Sequence, residues 1–204
     1  MTKLSTVLCG VLVLLLTSCS DTPTAAKKEA EKPLEPISGQ SALFKMYQVA
    51  RSWSPDVQIM KMNSIPLSEV PSVPRGKAAA WQATFTSASQ NQLRSYTYSI
   101  VEAPGNLHKG VFAGQPEGWT TRNLNALFLM AAVKVDTDEA FKTAVAKADD
   151  YETKNPDKPI NFTLERITKF PDPVWRVIWG ESVGTSNFSV YVDATTGAFQ
   201  EKLH

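Results

Sequence analysis

Two hydrophobic periods alternate along this chain. Over residues 41–53, Leu43, Met46, Tyr47, Ala50 and Trp53 recur at spacings of three and four, which places them on one face of an amphipathic helix. Pro55 stops that helix, and residues 57–65 then alternate apolar with polar side chains, as a half-buried strand does. A proline-rich connection over 66–77 leads to a strand at 79–85. A polar turn at 87–92 leads to a strand at 95–101, and Pro104-Gly105-Asn106 turns the chain into a strand at 107–112. The pattern predicts one helix followed by four strands.

The same order then recurs, which is the mark of an internal repeat. Residues 139–148 form a second helical pattern. Asp136 is placed to cap it, with Glu139 three residues on completing a capping-box-like pair. Pro156-Asp157 closes this region as Pro55-Asp56 closes the first. Strands follow at 160–167, 174–179, 188–192 and 198–203, with Asp193-Ala-Thr-Thr-Gly197 as the last turn. Three anchors align the copies: Phe44-Lys45 with Phe141-Lys142, Trp81 with Trp175, and residues 101–103 with 192–194. The helix-to-proline interval is about one helical turn longer in the second copy, so its helix is expected to be longer with its buried face unrotated. Between the copies, the apolar run 126–133 fits helix or buried strand equally well; in either form it is expected to be buried, with a place in the second sheet open to it. The expected fold class is α+β: two related units, each a helix packed on a curled antiparallel sheet, at 38–118 and 119–204.

The N-terminus has a different character. Lys3 precedes a run of about ten apolar residues, which is the length of a signal-peptide core and about half of what a membrane-spanning helix needs. The run ends in Leu16-Thr17-Ser18-Cys19, which resembles a bacterial lipobox. The resemblance implies cleavage after Ser18, acylation of Cys19 (palmitate being the expected class of adduct) and attachment to a membrane of the cell envelope. Residues 20–37 are rich in Thr, Ala, Lys, Glu and Pro and hold too little apolar surface to fold, so residues 19–37 read as a flexible tether. Ser20, where the inner-membrane retention pattern has Asp, favours the outer membrane if the cell has two.

Charge and composition exclude several functions. With 21 basic and 20 acidic residues the chain is close to neutral, and no clustered basic stripe exists for nucleic acid. Cys9 falls within the signal segment and Cys19 is reserved for lipid, which leaves no cysteine for a disulfide, a thiol nucleophile or a zinc site in the body. His108 and His204 lie far apart, and no metal-binding pattern surrounds them, so no metal and no cofactor is expected. Gly180-Glu-Ser182-Val-Gly184 spells a hydrolase elbow but joins two strands, with no following helix and no histidine base nearby, and reads as a hairpin connection. Asp149-Asp150 reads as a solvated helix face, and Asp193 as a carboxylate bonding its own turn. The sequons at Asn161 and Asn187 carry no expected meaning in a bacterial protein. Trp81 and Trp175 are expected in the core, whereas Trp119, among polar neighbours, is the aromatic best suited to a partner contact.

The second copy, with its Asp-Thr-Asp-Glu-Ala helix start, its Trp-Arg-Val-Ile-Trp strand and its Val-Asp-Ala-Thr-Thr-Gly turn, resembles a PepSY-type domain over residues 136–202; the first copy is a more diverged version. The resemblance implies a secreted or membrane-attached module that binds or regulates, in some members restraining a peptidase, and it brings no catalytic residues. The expectation is a non-enzymatic envelope protein with a protein or peptide partner. An envelope hydrolase with an unrecognised site and a binder of small ligands or polysaccharide are the alternatives.

Overall fold

The computed structural model describes residues 34–120 and 124–204. The chain runs β1 (Ile37–Ser38), α1 (Gly39–Trp53), β2 (Gln58–Ile65), β3 (Lys77–Ala78), β4 (Ala80–Ser87), β5 (Gln92–Ser99) and β6 (Gly110–Gly118). It continues through α2 (Thr137–Lys147), α3 (Tyr151–Lys154), β7 (Ile160–Glu165), β8 (Val174–Trp179), β9 (Ser189–Asp193) and β10 (Phe199–Leu203). The fold class is α+β with two related helix-and-four-strand units. Their strands merge into one eight-stranded antiparallel sheet of order β10-β9-β8-β7-β2-β4-β5-β6 rather than two sheets. The join is the pairing of β2 with β7, the first long strand of each unit, through Lys61–Glu165, Met62–Leu164 and Asn63–Thr163.

Both helices lie on one face, where the alternate side chains Trp81, Ala83 and Phe85 of β4 and Trp175, Val177 and Trp179 of β8 are fully buried with Met62, Phe162, Leu164, Val190 and Val192. β4 and β8 keep strict alternation there because a single-residue slip would turn the whole apolar set to the other face, while β2 carries a bulge between Ile59 and Lys61 that keeps Ile59 and Met62 on the same buried face. The two tryptophans at equivalent positions meet across the join, with ring centroids 6.5 Å apart. Each also hydrogen-bonds to its own helix entry: Trp81 Nε1 donates to the Ile37 carbonyl (3.1 Å), and Trp175 Nε1 to the Val135 carbonyl (2.8 Å). A buried indole needs such a partner, and both copies supply it from the residue before the helix cap.

The two helix N-termini converge. Ser38 occupies the cap position of α1 but its side chain makes no capping bond. Asp136 of the second unit serves instead: its Oδ1 accepts from Thr137 N (2.7 Å) on α2 and from Gln40 N (2.9 Å) on α1, while its Oδ2 accepts from the Ser38 hydroxyl (2.6 Å). One carboxylate thus caps both helices, which aim their positive ends at it. Gly39 is required at this crossing, because a Cβ there would lie 2.6 Å from Trp175 Cη2 and 2.7 Å from Thr137 Cγ2.

Several expectations are corrected. With Ser38 and Asp136 equivalent, Leu43 rather than Phe44 matches Phe141; Phe44 faces outward, 51% exposed, where the second copy has Lys142. The pairing of Trp81 with Tyr98 and of Trp175 with Val192 makes Ser99 the counterpart of Asp193, so residues 101–103 are three positions out of register with 192–194. The extra turn does not lengthen α2: Asp149, at φ 53°, breaks the helix, and the surplus residues fold as the separate turn α3. Glu139 approaches Asp136 through backbone bonding (3.1 Å). The run 126–133 forms neither a helix nor a strand of a second sheet. It joins the end of one 3-10 turn (Leu124–Ala126) to a second (Met130–Ala132) through Phe128, whose backbone pairs with Ile59 on the β2 edge that β7 leaves unpaired; Leu127, Phe128 and Val133 are buried as expected, whereas Leu129 is 57% exposed. Ile37, assigned to the tether, is paired with Ala78 in a small β1–β3 ladder.

Candidate functional site

Because α1 and α2 share one face of the sheet, the other face carries no helix among the described residues. Its side chains are those of opposite parity: Gln82, Thr84 and Thr86 on β4, Ser95 and Thr97 on β5, Asn63 on β2, Thr163 on β7, Arg176 on β8, and Ser189 and Tyr191 on β9. Short hydroxyl and amide side chains are frequent, and Val174 and Ile178 of β8 share the face with them; Thr84, Thr86, Ser189, Tyr191, Val174 and Ile178 are buried, and several of the polar groups are tied to one another. Thr84 Oγ1 lies 3.3 Å from Ser95 Oγ, and Arg176 Nε donates to Ser189 Oγ at 2.9 Å. The Arg176 guanidinium also lies 5.3 Å from the centroid of the Tyr191 ring, which packs edge-on against Phe170. Burial pushes the Tyr191 hydroxyl above its ordinary pKa, so it stays a neutral donor. The hydroxyls of Thr97 and Thr163 are buried without a hydrogen-bond partner.

A groove of ≈ 500 Å³ runs along the join on this open face. Asn63, Ile65, Thr163 and Ile178 line its floor, Lys61 and Glu165 one end, and Glu181, Ser182 and Val183 a wall. That wall is the connection between β8 and β9. The equivalent connection in the first unit, between β4 and β5, is a tight turn closed by Asn91 at φ 51°. Asn161 holds the longer loop in place: its Nδ2 donates to the Gly180 (2.8 Å) and Glu181 (3.3 Å) carbonyls, while its Oδ1 accepts from the Ser64 hydroxyl (3.0 Å). A second cavity of ≈ 490 Å³ lies under the proline-rich connection. There Arg75 straps the two units together by donating to the carbonyls of Pro156 (2.6 Å) and Lys158 (3.1 Å) and pairing with Glu152 (3.2 Å), which also accepts from Trp179 Nε1.

The residues singled out from sequence are scattered. Cys19 lies outside the described residues. Ser182 is in the hairpin connection and bonds Thr185 (2.9 Å). His108 is on the surface between Glu102 and Asn106, at 3.1 Å from each, and packs at a tilt against Phe112. Asp149 and Asp150 are exposed and pair with Lys202 and Lys154. Asp193 accepts from Thr195 N (2.7 Å) and Thr196 N (2.9 Å) within its own turn, and Ser99 does the same for Val101 N (3.3 Å) in the first unit. Trp119 follows β6, half-buried, with its amide bonded to the Asn91 carbonyl (2.9 Å). No group of three or more potential metal ligands occurs among the described residues. The groove itself was not singled out from sequence; aligning Trp81 with Trp175 exposes the longer 180–188 loop as the available signal.

Fold and site together define an α+β protein of two fused repeats sharing one sheet, helices on one face and a polar, grooved face opposite. No family model and no curated protein matches the chain. Among solved structures it is similar to a protein of Clostridium difficile 630 described as a candidate lipoprotein, with a TM-score of 0.50 and 8% identity over 79% of this chain and 91% of that one. At that identity the likeness is one of fold. No helix of the described residues is long and apolar enough to cross a membrane.

Proposed function

We propose that the chain is a lipid-anchored protein of the bacterial envelope whose open sheet face binds a protein partner without transforming it. The observation that carries this reading is the face opposite the helices, which no described helix covers and on which Gln82, Asn63, Ser95 and Arg176 remain partly accessible while Thr84, Thr86, Ser189 and Tyr191 are buried. Eight strands about 4.8 Å apart span about 34 Å, and strands of about six residues run about 20 Å, giving a face of at most roughly 700 Å², less the part around the buried Thr86, Val174, Ile178 and Ser189. One side of an ordinary protein–protein interface covers about 800 Å². The internal ties of Arg176, Ser189, Thr84 and Ser95 hold the surface rigid, so little side-chain entropy is lost on contact. The lipobox at Leu16–Cys19 supports anchoring, as does the described class of the structural neighbour. Placement in an outer membrane rests on Ser20 alone. The PepSY-like helix start, aromatic strand and closing turn of the second unit support a regulatory role, with a secreted peptidase as the narrower form of the partner.

Two measurements test the proposal. Cys19→Ser is expected to shift the protein from the membrane to the soluble fraction; unchanged fractionation rules out the anchor. A photo-crosslinking side chain placed at Gln82 is expected to give discrete adducts with an envelope protein in living cells, whereas the same group at the exposed Lys154 is not. Equal labelling from both positions refutes the assignment of the face.

A further inference from the structure

Where the two units differ, they differ at the groove. The features that build the fold are duplicated: the indole bonds to the helix entry, the carboxylate or hydroxyl that folds the turn after the third long strand, and the buried small residues Ala42/Ala140 and Ala50/Ala148 of the helices. The 180–188 loop has no counterpart of its length in the first unit. It nevertheless stands over the join, pinned by three hydrogen bonds through Asn161. A loop that breaks the symmetry is not needed for the sheet, and here it converts a flat strand pair into a walled groove.

We infer that this groove takes one bulky apolar side chain, flanked by a basic residue, from an exposed segment of the partner; the inference rests on the binding role proposed above. The volume of ≈ 500 Å³ exceeds that of one side chain and suits a bulky Leu, Phe or Trp together with the residues flanking it in an extended segment. Ile65, Ile178, Pro66 and Val183 supply the apolar wall and floor, and Val183, 43% exposed, stands at the rim with no cover among the described residues. Charge selects the neighbour. Glu165 and Glu181 face the groove against the single ammonium of Lys61, and none of the three forms an ion pair among the described residues. A lysine or arginine beside the apolar residue neutralises the excess carboxylate, whereas an acidic neighbour adds repulsion.

The test is an NMR titration of the isotopically labelled mature chain with acetyl-Lys-Phe-Lys-amide. Shifts are expected at Asn63, Thr163, Ile178 and Val183, saturating in the millimolar range. Binding should weaken about tenfold or more for acetyl-Lys-Ala-Lys-amide, for acetyl-Glu-Phe-Glu-amide and for the Val183→Glu variant, whose site is exposed and makes no demand on the core. Shifts centred elsewhere, or no preference for Phe over Ala, overturn the assignment. Indole binding as tightly as the Phe peptide also overturns it in favour of a small apolar ligand. Photo-crosslinking separates this inference from the wider one. Adducts at Gln82 with none at Val183 leave partner binding standing and refute the groove, while groove-centred peptide shifts without adducts at Gln82 uphold the groove and refute the wider face.

Discussion

Asp136 is the residue on which the two units most directly depend on each other. Its carboxylate accepts from the first amide of α2, from an amide in the first turn of α1 and from the Ser38 hydroxyl. Loss of one side-chain cap costs about 1 kcal/mol, and here two helices lose theirs together. Removing a negative charge from two converging helix dipoles adds about 0.5 kcal/mol for each. Asp136→Ala is therefore expected to cost about 3 kcal/mol, and Asp136→Asn, which keeps an acceptor oxygen, about half as much. With a urea dependence of about 2 kcal/mol per molar, the alanine variant should unfold about 1.5 M earlier. Asp157→Ala, at an exposed acid in the loop before β7, serves as the control and should move the midpoint by less than about 0.3 M. Hydrogen exchange gives a sharper reading: the Gln40 and Thr137 amides should lose protection together. Faster exchange at Thr137 alone would refute the shared cap, as would an alanine variant no less stable than the Asp157 control.

Four further outcomes follow from the same geometry. Gly39→Ala drives a methyl into Trp175 and Thr137 and should destabilise by about 1–3 kcal/mol in the same urea assay. Trp175→Ala removes a fully buried indole and its bond to Val135, and a loss of about 3–5 kcal/mol is expected in thermal or urea melts. Asp193→Ala leaves two turn amides without their acceptor and should cost about 1–3 kcal/mol, readable as a lowered melting temperature. The hydroxyl of Ser54, the amide of Ser89 and the hydroxyl of Ser87 hold the Asp56 carboxyl well below the usual carboxylate range. The folded state therefore favours its ionised form. That stabilisation is complete above the ordinary aspartate pKa, declines as pH falls below it, and is gone once the folded group is protonated. Asp56→Asn should flatten the acid limb of a stability–pH profile below about pH 4 relative to the parent, and an unchanged limb would refute the role of these bonds.

The duplication was legible in the chain because it is written in large side chains at strand period. Trp81 and Trp175 align correctly, and the alternation around them places the helix-facing core positions of β4 and β8, while Ala80, Val174 and Ile178 are buried on the opposite parity. The errors came where matching relied on residue identity without geometry. Phe44 and Phe141 look alike, yet one is outside and the other is packed against Trp179, because the true register is set by the helix caps 38 and 136. The break at Asp149 was hidden because an aspartate in the left-handed region carries no distinctive signature in sequence. Merging of two sheets into one was not legible either. Both faces of a join strand read alike in periodicity, and edge pairing depends on backbone groups common to all sequences. The groove was invisible for a related reason: it arises from loop length, which becomes meaningful only after the two copies are superimposed.

The register pairs of β2 and β7 end at Asn63–Thr163, where the alignment of Trp81 with Trp175 sets equivalent residues of the two units opposite each other. Such a pairing is isologous: each half offers the other the same edge. A half-length chain expressed alone would carry a self-complementary strand, open to the same edge pairing with a second copy, though without the Asp136 and Arg75 contacts as they stand between the two unlike halves. Covalent fusion replaces that concentration-dependent encounter with an internal one, at an effective concentration of about millimolar. Once fused, the halves no longer need to remain identical, which leaves one of them free to acquire a loop the other lacks.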